Sequence, residues 1–130
     1  VFTINGVNTG VPHVVIFLSQ DPYLYPVEFF GPKIECHPIF PEKTNVNFAQ
    51  IINPQLVIQR TWERASGETL ACGTGSTAIF SVGYRLGFLD KYAHIRSGGG
   101  ELILSLDDNQ HVFMTGPAVE VFTGSFPYPA

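Results

Sequence analysis

Val14 to Leu18 (VVIFL) is a short, unbroken run of β-branched and apolar residues, the pattern of a buried strand. Val46 to Ile52 and Leu56 to Trp62 flank an Asn53-Pro54 turn and predict a hairpin. Glu101 to Leu106 and Val112 to Thr115 predict a second hairpin, turning through Asp107-Asp108-Asn109. Val119 to Thr123 reads as a further strand after Gly116-Pro117. The pattern is mostly that of an antiparallel sheet.

One segment breaks the alternation. From Gly75 to Leu86 (GSTAIFSVGYRL) apolar residues fall on nearly every helical face, and the first charge is Arg85. A helix apolar all round belongs in a core. The expected fold is therefore α+β, an antiparallel, barrel-like sheet wrapped around one buried central helix. Five of the ten prolines lie between Pro22 and Pro41, so that stretch predicts loop and one short helix, around Val27 to Cys36.

Composition narrows the class. A length of 130 residues fits a single domain over 1–130. With 45% hydrophobic and 14% charged residues the chain is not disordered. A net charge of −4 with no basic run excludes a nucleic-acid groove or an anionic membrane footprint. Cys36 and Cys72 are too few for a disulfide scaffold, and nothing at the start resembles a signal peptide. The expected address is a reducing cytosol with both thiols free.

The candidate chemistry gathers around Cys72. It lies in Ala71-Cys72-Gly73-Thr74-Gly75, immediately before the apolar helix. First-turn N–H groups have no intrahelical partner, so such a start attracts anions and lowers a thiol's pKa. A carboxylate ligand could dock there with its α-carbon beside the sulfur. Glu63 and Arg64 end the strand leading into this turn. A carboxylate beside a thiol exchanges protons with it or tunes it, and a guanidinium clamps carboxylates. Taken singly, these residues read equally as a small buried Cys and a surface ion pair. His13, before the first buried strand, suits proton transfer or a structural bond. Asn45 and Asn47 read as turn residues or as two-way hydrogen-bonders. Glu68 reads as a loop carboxylate. The four histidines and two cysteines lack metal-site spacing, and Ser97 to Gly100 lacks the Lys and Ser/Thr of a phosphate loop.

Taken together these motifs resemble the carboxy-terminal domain of diaminopimelate epimerase, from Gly10 to Gly124. The most specific part is ERASGETLACGTG at 63–75, against a family pattern close to ERGxGETxACGTG. TGVPHVV at 9–15, HPIFPEKTNVNF at 37–48, GGGELIL at 98–104 and MTGPAVEVFTG at 114–124 support it in order and spacing.

The resemblance implies a two-domain, pseudo-symmetric enzyme that inverts one α-carbon of diaminopimelate without pyridoxal phosphate, other cofactor or metal. Two opposed cysteines, one per domain, remove and deliver the proton. It makes Cys72 the catalytic cysteine of this half, with Glu63 and His13 tuning proton affinities. Glu63, Arg64 and Asn45 become substrate ligands, and Gly73 and Thr74 supply amides to the reacting carboxylate. The implied partners are the small-molecule substrate and an amino-terminal domain carrying the second cysteine; Cys36 in IECHP lacks the glycine-flanked setting to replace it. The half alone is expected to fold but not to epimerise, and its apolar surface invites self-association, leaving a homodimer open.

Three positions depart from the family pattern. Val11 stands where GNPH is usual, Ala65 replaces a glycine, and Ser76 replaces an alanine. Two other readings compete: a racemase of the proline racemase type, and a non-catalytic module keeping the Cys turn as a carboxylate site.

Overall fold

The structure, a computed structural model, describes residues 1–129. Its elements run β1 (Asn5–Asn8), β2 (Pro12–Phe17), a 3-10 turn (Pro22–Leu24), α1 (Val27–Glu35), β3 (Asn45–Asn53), β4 (Leu56–Glu63) and β5 (Gly67–Thr69). α2 (Gly73–Arg85), β6 (Tyr92–Ser97), β7 (Gly100–Leu106) and β8 (Val112–Thr115) follow.

One eight-stranded sheet runs in the order β1-β2-β3-β4-β6-β7-β8, with β5 paired to β4. α2 packs against β1, β2 and β3 and also against β6, β7 and β8. One helix can touch both ends of a sheet only if the sheet curls around it, so the architecture is a half-barrel about α2. The edges do not pair with each other, and a cleft of about 410 Å³ lies between them and the second half of α2.

Side-chain alternation builds two cores. Val14, Ile16, Val46 and Phe48 face α1, packing with Val27. Val15 and Ala49 face the other way, onto Ala78, Ile79 and Phe80 of α2. Both faces of β2 and β3 are thus covered, which is why their sequences read as near-continuous apolar runs. α2 is held by packing rather than propensity. Gly83 in its interior costs about 1 kcal/mol relative to Ala, whereas fully burying Ile79 and Phe80 gives about 1.5–3 kcal/mol each.

The structure corrects the expected topology in three respects. The sheet is mixed, since β2–β3 and β4–β6 are parallel. The β4–β6 pairing follows from the long connection through α2, because parallel neighbours need such a crossover. β1, β5 and β6 were not expected; they carry few apolar residues, and in β6 only Ala93 and Ile95 are buried. The strand expected at Val119 to Thr123 is absent. Beyond Thr115 the chain leaves the sheet with Pro117 lacking an N–H, and Val119, Val121 and Phe122 are each more than 80% exposed. An alternating pattern makes a strand only beside a partner edge.

Candidate functional site

Cys72 caps α2. Its backbone is extended (φ −144°, ψ 103°), and its sulfur accepts the Gly75 N–H at 3.3 Å. The Gly73 and Thr74 N–H groups stand at the helix start without intrahelical partners. The approach to the turn is braced by the β6–β7 hairpin, whose Gly99 N–H donates to the Leu70 carbonyl at 2.7 Å. A Cβ on Gly99 would sit 3.0 Å from that oxygen, so the Gly-rich hairpin tip is a close-approach device rather than a phosphate loop.

The parallel pairing of β2 with β3 sets His13 opposite Asn45, and the β3–β4 pairing sets Asn47 opposite Thr61. His13 is buried, with Nε2 3.1 Å from the Thr74 hydroxyl and Nδ1 3.0 Å from Asn47 Nδ2. The Thr74 oxygen is in turn 3.5 Å from Cys72 Sγ. Glu63, the last residue of β4, accepts the Thr69 hydroxyl at 2.7 Å. Residues far apart in sequence are therefore gathered at one helix start.

Burial pushes the Cys72 thiol above its ordinary range, more than the Thr74 hydroxyl and Gly75 N–H pull it down; the Glu63 carboxylate pushes it up further. This reverses the lowered thiol pKa expected from the helix start alone, because a buried thiolate loses more hydration than the helix terminus returns. Burial also lowers the pKa of His13, against the raising influence of Glu63, so its ring is neutral at pH 7.

Asn45 is buried and Arg64 half-buried. Asn45 donates to the Pro12 carbonyl at 3.0 Å and accepts the Arg64 N–H at 2.8 Å, which leaves one N–H and one lone pair for a ligand. The Arg64 guanidinium donates to the Glu42 carbonyl at 3.1 Å. Glu68 points elsewhere, into an ion pair with Arg60 at 2.6 Å, and Cys36 is an exposed free thiol at the end of α1. Among the described residues no cluster of three or more His, Cys, Asp or Glu is placed to hold a metal ion. Among the described residues no helix is long and apolar enough to cross a membrane.

Sequence reasoning left Asn47 open and missed Gln59, Thr61 and Ser76, which line the floor beneath Cys72. Gln59 donates to Thr61 at 2.8 Å, Thr61 to Asn47 at 3.0 Å, and Ser76 to the Gln59 carbonyl oxygen at 2.7 Å. All four residues are at most 2% exposed. The available signal was polar residues at inward-facing positions of two paired strands.

A sequence profile of diaminopimelate epimerase matches residues 6–121. The chain belongs to the diaminopimelate epimerase family. Family members named diaminopimelate epimerase include one from Pelotomaculum thermopropionicum, 43% identical over 98% of this chain and 45% of its own length. One from Acetivibrio thermocellus is 41% identical over 95% of this chain and 44% of its own length. One from Halothermothrix orenii is 46% identical over 93% of this chain and 42% of its own length. The chain thus spans about half the length of the curated relatives it matches.

Solved structures confirm the fold of this family member. A phenazine biosynthesis protein of the PhzF family from Enterococcus faecalis superposes with a TM-score of 0.59 at 16% identity, over 82% of this chain and 40% of that one. A PhzF family protein from Bacillus anthracis gives 0.57 at 16% identity, over 87% and 38%.

Proposed function

We propose that this chain is the carboxy-terminal half of an enzyme that epimerises LL-diaminopimelate to the meso form with two cysteines, without cofactor or metal. The observation carrying this reading is Cys72 at the cap of α2, with Glu63, Thr74 and His13 grouped around it. Cys72 rests as a thiol at neutral pH, the state that delivers a proton to an α-carbon. The thiolate that removes the proton comes from the opposed half, because one base alone would return the proton to the face it left.

Each remaining residue has a role in this reading. Gly73 and Thr74 N–H groups bind the reacting carboxylate and stabilise charge that develops as the α-proton leaves. Glu63 and His13 tune the proton affinities of the two cysteines. Arg64, Asn45 and Glu63 hold the distal end of the substrate, with Val11 removing one polar contact usual in the family. The product would feed lysine and peptidoglycan precursors in the cytoplasm.

Two features support a missing partner domain. Thr74 lies exposed at the site, so this half does not close it. Residues 116–129 lie outside the sheet, and Val119, Val121, Phe122, Phe126 and Tyr128 are 82% to 90% exposed. Apolar side chains so placed are expected to pack on the other half. The chain alone is therefore inactive. The test joins the chain to the amino-terminal half of a family member and follows LL-diaminopimelate by chiral chromatography beside proline. Conversion of diaminopimelate alone supports the reading, and turnover of proline overturns the substrate.

A further inference from the structure

The hydrogen bonds beneath Cys72 have only one consistent direction, and a backbone group sets it. Asn47 Nδ2 lies 2.9 Å from the Val14 carbonyl, which can only accept. The amide nitrogen must therefore face that side, and the amide oxygen must face Thr61. The second hydrogen on Nδ2 points at His13 Nδ1, 3.0 Å away, so that ring nitrogen accepts. A neutral imidazole that accepts at Nδ1 carries its proton on Nε2. That proton is donated to the Thr74 oxygen at 3.1 Å. With one of its two lone pairs taken by His13, the Thr74 hydroxyl still has its own hydrogen to give to Cys72 Sγ at 3.5 Å.

The other end of the chain of bonds agrees. Thr61 must donate to Asn47 Oδ1, so it accepts from Gln59 Nε2, and the Gln59 oxygen accepts from Ser76. Ser76 stands on α2, one turn after Cys72, so the bonds form a ring that leaves the helix start and returns to it. Reversing any one amide leaves two donors or two acceptors face to face in a buried site, where neither can turn to water.

We infer that Asn47 is a positioning residue that fixes His13 as the Nε2–H tautomer, and that His13 acts on Cys72 through the Thr74 hydroxyl rather than directly. The inference deepens the two-cysteine reading above and rests on it for its catalytic meaning. The arrangement stabilises the thiolate whenever it forms, because the sulfur receives the Thr74 O–H as well as the Gly75 N–H.

The test needs no turnover. The chain carrying Cys36→Ser, so that alkylation reports Cys72 alone, is labelled with nitrogen-15 and its histidine ring nitrogens are read by proton-correlated NMR. A bare Nδ1 and a protonated Nε2 on His13 are expected; a protonated Nδ1 overturns the inference. Thr74→Val should keep the tautomer and slow alkylation of Cys72 by iodoacetamide at neutral pH roughly tenfold, the effect of one lost bond to a charged sulfur. An unchanged rate overturns the relay. Asn47→Asp, which presents only acceptors to Nδ1, should move the proton to Nδ1 and slow alkylation similarly. Should that variant not fold, the tautomer of the parent chain and the Thr74→Val rate still decide. Failure of the rejoined enzyme to invert diaminopimelate would reject the catalytic reading and leave these two readouts unaffected.

Discussion

The side-chain oxygen of Asn47 lies against Gly75, so close that a Cβ there would collide with it, and the same Cβ would meet Cys72 Sγ at 3.2 Å. The second glycine of the Cys turn is thus required by approach rather than by backbone angle. Gly75→Ala should cost about 1–3 kcal/mol through this overpacking and displace the Cys72 turn. Urea unfolding measures the first effect and a changed Cys72 alkylation rate the second; a variant matching the parent in both would contradict the packing.

Ala65 occupies a left-handed conformation (φ 62°), where the family pattern has glycine. A side chain there costs about 1–2 kcal/mol, while a glycine loses about 0.5–1 kcal/mol of chain entropy on folding. Ala65→Gly should therefore stabilise the chain by about 0.5–1 kcal/mol in urea melts.

The strained turn is held by Glu35. Its carboxylate, 6% exposed, accepts the Trp62 indole N–H at 2.8 Å and the Ala65 N–H at 2.9 Å. Burial works to raise its pKa, but the two hydrogen bonds and Lys43 hold it below the ordinary 4.5. A carboxyl with a depressed folded pKa contributes stability that is full above its unfolded value and lost as pH falls through the folded one. Glu35→Gln should cost about 1.5–3 kcal/mol at pH 7, with the difference from the parent shrinking below pH 4.5. Melting curves across that range check both the size and the slope.

How much of this was legible in the sequence follows from where the information lies. The β3–β4 hairpin, α1 and α2 were readable because periodicity, Pro54 and the apolar run of α2 are local signals. β1 and β6 were not, since their few apolar residues form strands only when β2 and β4 offer an edge. At the site, Cys72 and Glu63 were legible from the motif around them. The floor of Asn47, Gln59, Thr61 and Ser76 was not, because it exists only once β3, β4 and α2 are brought together. The tail failed in the opposite sense: its alternation is real, but no edge within the described residues receives it.

That tail gives a prediction of its own. Val121 and Phe122 are 85% and 82% exposed, so the isolated chain should self-associate at high concentration. Val121→Asp with Phe122→Asp should lower the sedimentation-average mass toward that of the monomer. An unchanged mass would place the contact elsewhere, for instance at the cleft beside β1 and β8.

The most direct measurement is proton NMR of LL-diaminopimelate in heavy water. The chain is tested alone, together with an amino-terminal half from a family member, and with Cys72→Ala in that combination. Loss of the α-proton signal with inversion is expected only when both halves are present and Cys72 is intact. Exchange and inversion by the isolated chain, or by the combination lacking Cys72, would contradict the two-cysteine reading.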